Sequence, residues 1–169
     1  VAAAVVLPKE NFVVGADDSK AISASRRKNL FDEITALADC IGVGAASVQE
    51  IDRGNILRAT TVAIQRAISH LRDTPNHIVV DGLPLKNLGR EHDAVVGGDG
   101  LVHSIACASI VAKVIRDRLM HRLALRYPGY GWERNVGYGT AEHRNAIKKL
   151  GVTPHHRLTY KGAQFKLKI

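Results

Sequence analysis

The sequence predicts an α/β domain, in which helices are packed on a mixed or parallel sheet. Two observations predict this class. Short apolar runs typical of buried strands alternate with longer stretches whose apolar residues recur at helical spacing, and the connections between them are short. A length of 169 residues suffices for one domain with a buried core. We therefore expect residues 1–169 to form a single domain, with a basic tail from about residue 153.

The first half of the chain is predicted to contain two strands and three helices. The apolar runs at 1–7 and 40–46 have the length and composition of strands. Each helix follows a residue whose side chain can cap its first turn, namely Ser23, Ser47 and Asn55. Glu50 stands at the capping-box position after Ser47, which strengthens the assignment of the second helix.

The second half is predicted to contain two more strands, at 77–80 and 93–96, a long helix and a final helix. The long helix runs from Ser104 to about Arg126 and ends before Pro128, because proline disfavours helical backbone in the residue before it. Gly151 closes the last helix, at 141–150. The inner face of the long helix is expected to consist of Ile105, Val111, Ile115, Leu119 and Leu123.

Two aspartates follow the last two predicted strands. Asp81 comes directly after residues 77–80, and Asp99 lies in a glycine-rich loop after residues 93–96. Seen alone, each residue is open to interpretation as an ordinary turn residue. Seen together, they lie at neighbouring strand ends, where two carboxylates repel each other unless a cation lies between them. The pair therefore favours a site for a divalent metal ion.

The charge balance bears on the partner. Lys and Arg number 24 against 16 Asp and Glu, a formal net charge of +8. Such an excess favours polyanions through phosphate neutralisation and counterion release, with nucleic acid as the leading candidate. A soluble basic protein without such a partner is the alternative that charge alone leaves open.

Cysteine usage and hydropathy bear on location. Cys40 and Cys107 lie in apolar stretches without CxxC spacing, so we expect buried free thiols in a reducing compartment. The opening apolar run is short and has no basic leader, which favours a strand over a signal peptide. No run reaches the about 18 apolar residues of a membrane span. We expect a cytoplasmic monomer that makes no membrane contact.

Ordered motifs along almost the whole chain resemble the ribonuclease HII family. They are Asp18-Ser19-Lys20, Glu50-Ile51-Asp52-Arg53-Gly54-Asn55-Ile56-Leu57-Arg58-Ala59-Thr60, Val80-Asp81-Gly82, Gly98-Asp99, Tyr127-Pro128-Gly129-Tyr130-Gly131, Gly137-Tyr138-Gly139-Thr140-Ala141-Glu142-His143 and His155-His156-Arg157. The resemblance implies an RNase H-like fold. It also implies hydrolysis of the RNA strand of RNA/DNA hybrids, and of single ribonucleotides embedded in DNA, by a two-metal mechanism with Mg²⁺ or Mn²⁺. By resemblance, Asp81 and Asp99 are two of four catalytic carboxylates.

Other residues of these motifs are candidates for substrate binding. By resemblance, the ring of Tyr138 packs on the sugar at the junction and its hydroxyl lies near the 2′-OH; a buried core tyrosine is the alternative. Lys20 precedes a helix and is placed to meet a phosphate, or is an ordinary solvated lysine. Asn55 serves either as a helix cap or as a contact to the nucleic-acid backbone.

Two basic clusters complete the candidate interface. Lys113 and Arg116 share the long helix and form a basic face, unless they pair with Asp117 or Asp93. Residues 155–157, His-His-Arg, are interpreted as a patch that faces phosphate.

The sequence departs from the family pattern in two places. Gly97 stands where the family has a lysine, which removes a possible phosphate contact. The family's first and central strand carries an Asp-Glu pair and a Gly-Arg-Gly turn, and it is missing ahead of Val1. Without it, the strands at 1–7 and 77–80 lack the element between them, and residues 1–169 alone are expected to be inactive or weakly active.

Three functions are therefore considered. The first is the metal-dependent endonuclease. The second is a non-catalytic protein that binds RNA/DNA hybrids and has lost half of the metal ligands, which binding without cleavage would reveal. The third is a different metal-dependent phosphotransfer enzyme that shares only the carboxylates at the strand ends.

Overall fold

The computed structural model describes residues 1–10, 12–16 and 22–159, and it has the predicted α/β class. The strands are β1 (Ala2–Val6), β2 (Cys40–Gly44), β3 (Val79–Asp81) and β4 (Asp93–Val95). The helices are α1 (Ala24–Leu37), α2 (Val48–Arg53), α3 (Ile56–Ser69), α4 (His103–Arg126), α5 (Trp132–Asn135) and α6 (Ala141–Leu150). None of the helices in the described ranges is both long and apolar enough to cross a bilayer.

The chain divides into two compact units. The first comprises Val1–Ala46 and Leu57–Ile115, and the second comprises Ser47–Ile56 and Arg116–Ile169. Helix α4 contributes its first half to one unit and its second half to the other. The expectation of a single folding domain stays a prediction.

Two of the three predicted N-terminal helix caps, Ser23 and Ser47, are confirmed by short-range hydrogen bonds, and the Asn55 cap stays a prediction. The Oγ of Ser23 accepts from the backbone N–H of Arg26 at 3.2 Å, which starts α1. At α2, the Oγ of Ser47 accepts from the N–H of Glu50 at 3.2 Å, and the Glu50 carboxylate accepts from the N–H of Ser47 at 2.7 Å. These reciprocal bonds confirm the capping box. At the end of α6, Gly151 has a φ of 80° and donates its N–H to the carbonyl of Ile147.

The main core of the first unit contains α1 and the first half of α4. Leu30 and Ile34 of α1 and Ile110 and Val111 of α4 are fully buried, and side chains of β1 and β2 pack against them. Helix α3 packs so closely on β2 that a Cβ at Gly42 would lie 1.9 Å from the carbonyl oxygen of Ala67. Glycine is thus required at that position of β2 by the approach of the α3 backbone.

The four strands form two separate two-stranded sheets. Strands β1 and β2 are antiparallel, with Ala2 opposite Gly44 and Val6 opposite Cys40. Strands β3 and β4 are parallel, with Val79 opposite Asp93. The expected mixture of strand directions is present, but not as one continuous sheet.

A cavity of about 500 Å³ separates β1 from β3. The whole of β1 and the whole of β3 line it, and residues of α3 and α4 line its other sides. In the part of the chain that the structure describes, β1 pairs only with β2 and β3 only with β4. The cavity lies where the sequence analysis expects an element between these two strands.

Two predictions about packing are wrong. Leu119, expected on the inner face of α4, has 45% of its surface exposed. The reason is that the second half of α4 packs through Met120, Ala124 and the predicted Leu123 on residues of the second unit, and Leu119 lies outside this stripe. Cys40 is half-buried rather than buried, and its sulfur accepts from the N–H of Arg72. Cys107 is buried and free, as expected, and burial raises its pKa to about 11.

Candidate functional site

The two predicted acidic loops meet at the carboxyl edge of the β3–β4 sheet. Asp81 ends β3 directly opposite Val95, the last residue of β4. The chain then turns through a single 3₁₀ turn, Gly98–Gly100, which carries Asp99. The backbone N–H of Gly98 donates to the Oδ1 of Asp81 at 2.9 Å. The loop that bears the second aspartate is therefore fastened to the carboxylate of the first.

Glycines allow this loop to approach Asp81. Gly97 has a φ of 69°, a left-handed backbone that a lysine adopts only with strain. A Cβ at Gly98 would lie 2.6 Å from the Cδ1 of Ile105 and 3.5 Å from the Oδ1 of Asp81. The Gly97-Gly98 sequence thus favours a tight turn at the point where the family pattern has a lysine.

The donor set at this edge suits a hard divalent cation. Asp81 is exposed and Asp99 is half-buried, and carboxylate oxygens are the ligands that Mg²⁺ and Mn²⁺ prefer. Mg²⁺ usually takes one or two carboxylates together with water and substrate phosphate, so these two residues fit one ion. Across residues 1–10, 12–16 and 22–159, no three or more His, Cys, Asp or Glu side chains group into a metal-binding set.

Of three other predicted substrate contacts, Lys113, Asn55 and Lys20, the structure describes the first two. Lys113 lies half-buried on α4, in the first unit. Asn55 is exposed directly before α3, a position compatible with either of its two predicted roles. Lys20 lies outside the described residues.

Tyr138 is presented on the surface of the second unit, between α5 and α6. Its side chain is 56% exposed, so the alternative of a buried core tyrosine is wrong. The guanidinium carbon of Arg116 lies over the ring, 4.9 Å from its centroid. This arrangement holds an aromatic ring at the surface next to a positive charge, a combination that suits packing on nucleic-acid sugars or bases.

Arg116 also makes the intramolecular pair that the sequence analysis left open. Its Nη1 lies 3.3 Å from the Oδ1 of Asp117, and both side chains are mostly buried. Its Nη2 donates to the carbonyl oxygen of Val136 at 2.9 Å. Pairing with Asp117 is therefore confirmed for Arg116, which leaves its guanidinium engaged with the loop that carries Tyr138.

The interpretation of residues 155–157 as a phosphate-facing patch is wrong for His156. That side chain is only 5% exposed, and its Nδ1 accepts from the backbone N–H of Thr153 at 2.9 Å. Its Nε2 lies 3.2 Å from the Nε2 of His143. The turn at 153–156 directs His156 inward, whereas His155 stays exposed.

His143 and His156 form a buried cluster with Trp132 and Tyr130, and of these four residues sequence reasoning assigned a role only to His156. The indole N–H of Trp132 donates to the Nε2 of His143 at 3.1 Å. The ring of Tyr130 stacks on that of Trp132, with centroids 5.3 Å apart. The available signal was the position of His143 in the first turn after the Thr140 cap, since a polar ring there can reach the preceding loop.

The cluster predicts a pH-dependent contribution to stability. Burial, reinforced by the neighbouring His143, lowers the pKa of His156 from 6.5 to about 4. The folded state thus favours neutral His156, and this contribution is fully present above pH 6.5 and lost as the pH falls towards 4. We expect the free energy of unfolding of the wild type to fall as the pH is lowered from 6.5 to about 4, and that of His156→Gln to fall less. Denaturant titrations at several pH values in this range measure the free energy of unfolding. Identical pH dependence in the two proteins would contradict the assignment of this effect to His156.

Comparison with known proteins gives the family. The family model for ribonuclease HII matches residues 1–163. Ribonuclease HII of Ruegeria pomeroyi is 51% identical over 162 residues, which cover 95% of this chain and 69% of that protein. Ribonuclease HII of Rhodopseudomonas palustris strain BisB5 is 54% identical over 157 residues, which cover 93% of this chain and 52% of that protein. The chain spans between about half and about two thirds of the length of such relatives.

Solved structures agree in fold. The crystal structure of ribonuclease H2 from Pyrococcus horikoshii has a TM-score of 0.73 at 22% identity, with 96% of this chain and 94% of that chain covered. Ribonuclease HII of Archaeoglobus fulgidus, solved in complex with PCNA, has a TM-score of 0.72 at 25% identity, with 87% and 79% covered. With a family model that matches nearly the whole sequence and relatives of more than 50% identity, the chain belongs to the ribonuclease HII family.

Proposed function

We propose that this chain forms the larger part of an endonuclease. It would hydrolyse the RNA strand of RNA/DNA hybrids, and single ribonucleotides embedded in duplex DNA, with two Mg²⁺ or Mn²⁺ ions. The observation that carries the proposal is the bond of 2.9 Å from Gly98 to Asp81, which fastens the Asp99 loop to the end of β3. In a ribonuclease HII family member, this geometry supports the two aspartates as metal ligands.

Each part of the chain has its own task in this proposal. Asp81 and Asp99 would hold metal, which would supply activation of the attacking water and stabilisation of the leaving 3′ oxygen. Tyr138 would pack on the ribose, since its ring is exposed and held by Arg116. Lys20, Asn55 and Lys113 would contact phosphates and position the hybrid.

Two divalent ions would need more carboxylates than Asp81 and Asp99 supply. The cavity between β1 and β3 is a suitable place for a segment that supplies the further carboxylates. Asp81 lines this cavity, and within the described residues both flanking strands have an edge free of strand pairing. We propose that an extended segment carrying the family's Asp-Glu pair fills this cavity. It would join the two sheets and bring its carboxylates beside Asp81.

Affinity for the hybrid is expected to depend steeply on salt. The net charge of +8 favours neutralisation of several phosphates, and each neutralised phosphate releases counterions. If about six phosphates are contacted, binding should weaken on the order of 10³-fold between low and moderate ionic strength. Fluorescence anisotropy with a labelled RNA/DNA hybrid measures this dependence. Affinity that does not change with salt would argue against a groove that follows the phosphate backbone.

A further inference from the structure

Side-chain hydrogen bonds hold the backbone around Tyr138 at several consecutive residues. Asn135, which is buried, accepts from the N–H of Gly137 through its Oδ1 at 2.8 Å. Arg116 donates to the carbonyl of Val136 at 2.9 Å. Val136 has a φ of 41°, the one positive value at a non-glycine position in the described residues, and a β-branched residue is strained there. The loop is thus held in a conformation that its own sequence does not favour.

The bond to Tyr138 itself comes from a buried histidine. The Nδ1 of His143 lies 2.9 Å from the carbonyl oxygen of Tyr138. On its other side, the Nε2 of His143 meets the indole N–H of Trp132 at 3.1 Å and the Nε2 of His156 at 3.2 Å. Tyr138 therefore has an exposed ring, while its backbone carbonyl is hydrogen-bonded to a side chain in the core of the second unit.

The direction of each bond in this chain is fixed by its ends. A carbonyl only accepts, so His143 must carry its proton on Nδ1 and donate it to Tyr138. An indole N–H and a backbone N–H only donate, so the Nε2 of His143 accepts from Trp132, and the Nδ1 of His156 accepts from Thr153. His156 then carries its proton on Nε2 and donates to His143. Each neutral ring then has one defined tautomer, and the single lone pair on Nε2 of His143 is shared by two donors, Trp132 and His156, in a three-centre bond.

We infer that His143 is a positioning residue, which fixes the Tyr138 backbone by donating from Nδ1 and is itself oriented by Trp132 and His156. The inference deepens the proposed function and rests on it only for the role of the Tyr138 ring in recognising ribose. Arg116 covers one face of that ring, and His143 fixes the backbone that carries it. The two contacts hold the ring ready for a sugar before any substrate arrives, so that less ordering is needed on binding.

Two substitutions of His143 separate positioning from packing. The side-chain amide of His143→Asn lies near the place of Nδ1 and keeps a donor for the Tyr138 carbonyl. The longer side chain of His143→Gln lies near the place of Nε2 and keeps a partner for Trp132 and His156, but loses the donor to Tyr138. A role confined to packing predicts that His143→Asn is the worse variant in every measurement, because it leaves the Trp132 N–H unpaired in the core.

Hydrogen exchange in the 169-residue chain tests positioning without any substrate. The N–H of Tyr138 donates to the carbonyl of Asn135, and the N–H of Thr140 donates to the carbonyl of Tyr138, each at 2.8 Å. We expect His143→Gln to speed exchange of these two amides about tenfold, as loss of one hydrogen bond permits, and His143→Asn to leave them near wild type. Loop exchange unchanged in a folded His143→Gln protein would overturn the inference.

Ring tautomers in the wild type give a test that needs no variant to fold. Long-range ¹H–¹⁵N correlation spectra are expected to show the proton on Nδ1 of His143 and on Nε2 of His156. A proton on Nε2 of His143 would remove the bond to Tyr138 and overturn the inference.

Binding selectivity links positioning to function. In EDTA, wild-type protein is compared on a DNA duplex with one embedded ribonucleotide and on the same all-DNA duplex. We expect a preference for the first duplex that His143→Gln loses at least in part and His143→Asn keeps. If the wild type has no preference while His143→Gln still loosens the loop, ribose recognition by Tyr138 is wrong and the positioning bond is supported. If a folded His143→Gln protein has wild-type preference, the inference is overturned.

Discussion

Asp81→Asn is expected to reduce Mg²⁺-dependent cleavage of an RNA/DNA hybrid to background in a strand-complete form of this chain, while binding of the hybrid changes little. Asparagine removes the negative charge that a divalent ion requires. It keeps an Oδ1 that can accept the bond from the N–H of Gly98, which is 2.9 Å long in the wild type. The loop of Asp99 should therefore stay in place while the metal site loses a ligand.

The strand-complete form is made by fusing to Val1 an upstream strand with the Asp-Glu pair and the Gly-Arg-Gly turn that the family resemblance implies. Cleavage is followed with a labelled hybrid in Mg²⁺, and binding by anisotropy in EDTA. Asp93→Asn is the matched control, because it removes the same charge at the opposite end of β4, where Asp93 pairs with an exposed His77 at 3.1 Å. Cleavage should survive in the control, and equal loss in both variants would contradict a specific role for Asp81.

The chain of residues 1–169 without the added strand completes the comparison. We expect it to bind the hybrid weakly and to cleave it negligibly, because Asp81 and Asp99 can hold one ion but not a pair across the scissile phosphate. Substantial cleavage by this chain that is lost on Asp81→Asn would contradict the argument from ligand number. Binding by the strand-complete form without Mg²⁺-dependent cleavage would instead support a non-catalytic binder of hybrids.

The features predicted well from sequence are those decided by neighbours along the chain. Ser23 and Ser47 cap helices through bonds to residues within the same turn. The contact between the Asp81 and Asp99 loops was also predictable, because the carboxyl ends of adjacent parallel strands lie at the same edge of a sheet. In both cases the partner lies at a spacing that the sequence itself displays.

The features predicted poorly depend on which surface a residue meets in the folded chain. His155 and His156 are adjacent and chemically alike, yet only His156 is buried, because His143 and Thr153 bind it there. Leu119 fits the apolar stripe of the first half of α4, but the second half of that helix serves another core. Periodicity cannot show where a helix passes from one core to the next.

Arg116 shows a third kind of limit. Its sequence position left two roles open, a basic face or a pair with Asp117, and the structure shows the pair at 3.3 Å. The same guanidinium also lies over Tyr138 and donates to Val136. Five donors on one planar group can serve several partners at once, so a choice between single roles was too narrow.

Tyr138→Ala is expected to impair cleavage at a single embedded ribonucleotide far more than it impairs folding. Loss of an aromatic ring that packs on nucleic acid costs about 1–3 kcal/mol per contact, or about 5- to 150-fold in rate at limiting substrate. The ring is 56% exposed, so its removal should lower the free energy of unfolding by about 1 kcal/mol or less, mainly through the contact with Arg116.

Two further variants in the strand-complete form make this prediction specific. Tyr130→Ala, which removes a buried ring stacked on Trp132, should instead cost about 3–5 kcal/mol of stability. Tyr138→Phe keeps the ring and removes the hydroxyl, so it separates packing on the sugar from contact with the 2′-OH. Cleavage rates are read at low substrate concentration and stability from denaturant titration. Two outcomes would contradict a role for Tyr138 in recognising ribose. If Tyr138→Ala destabilises the protein as strongly as Tyr130→Ala, the ring of Tyr138 contributes to the fold alone. If Tyr138→Ala leaves cleavage at the embedded ribonucleotide unchanged, the ring takes no part in the reaction.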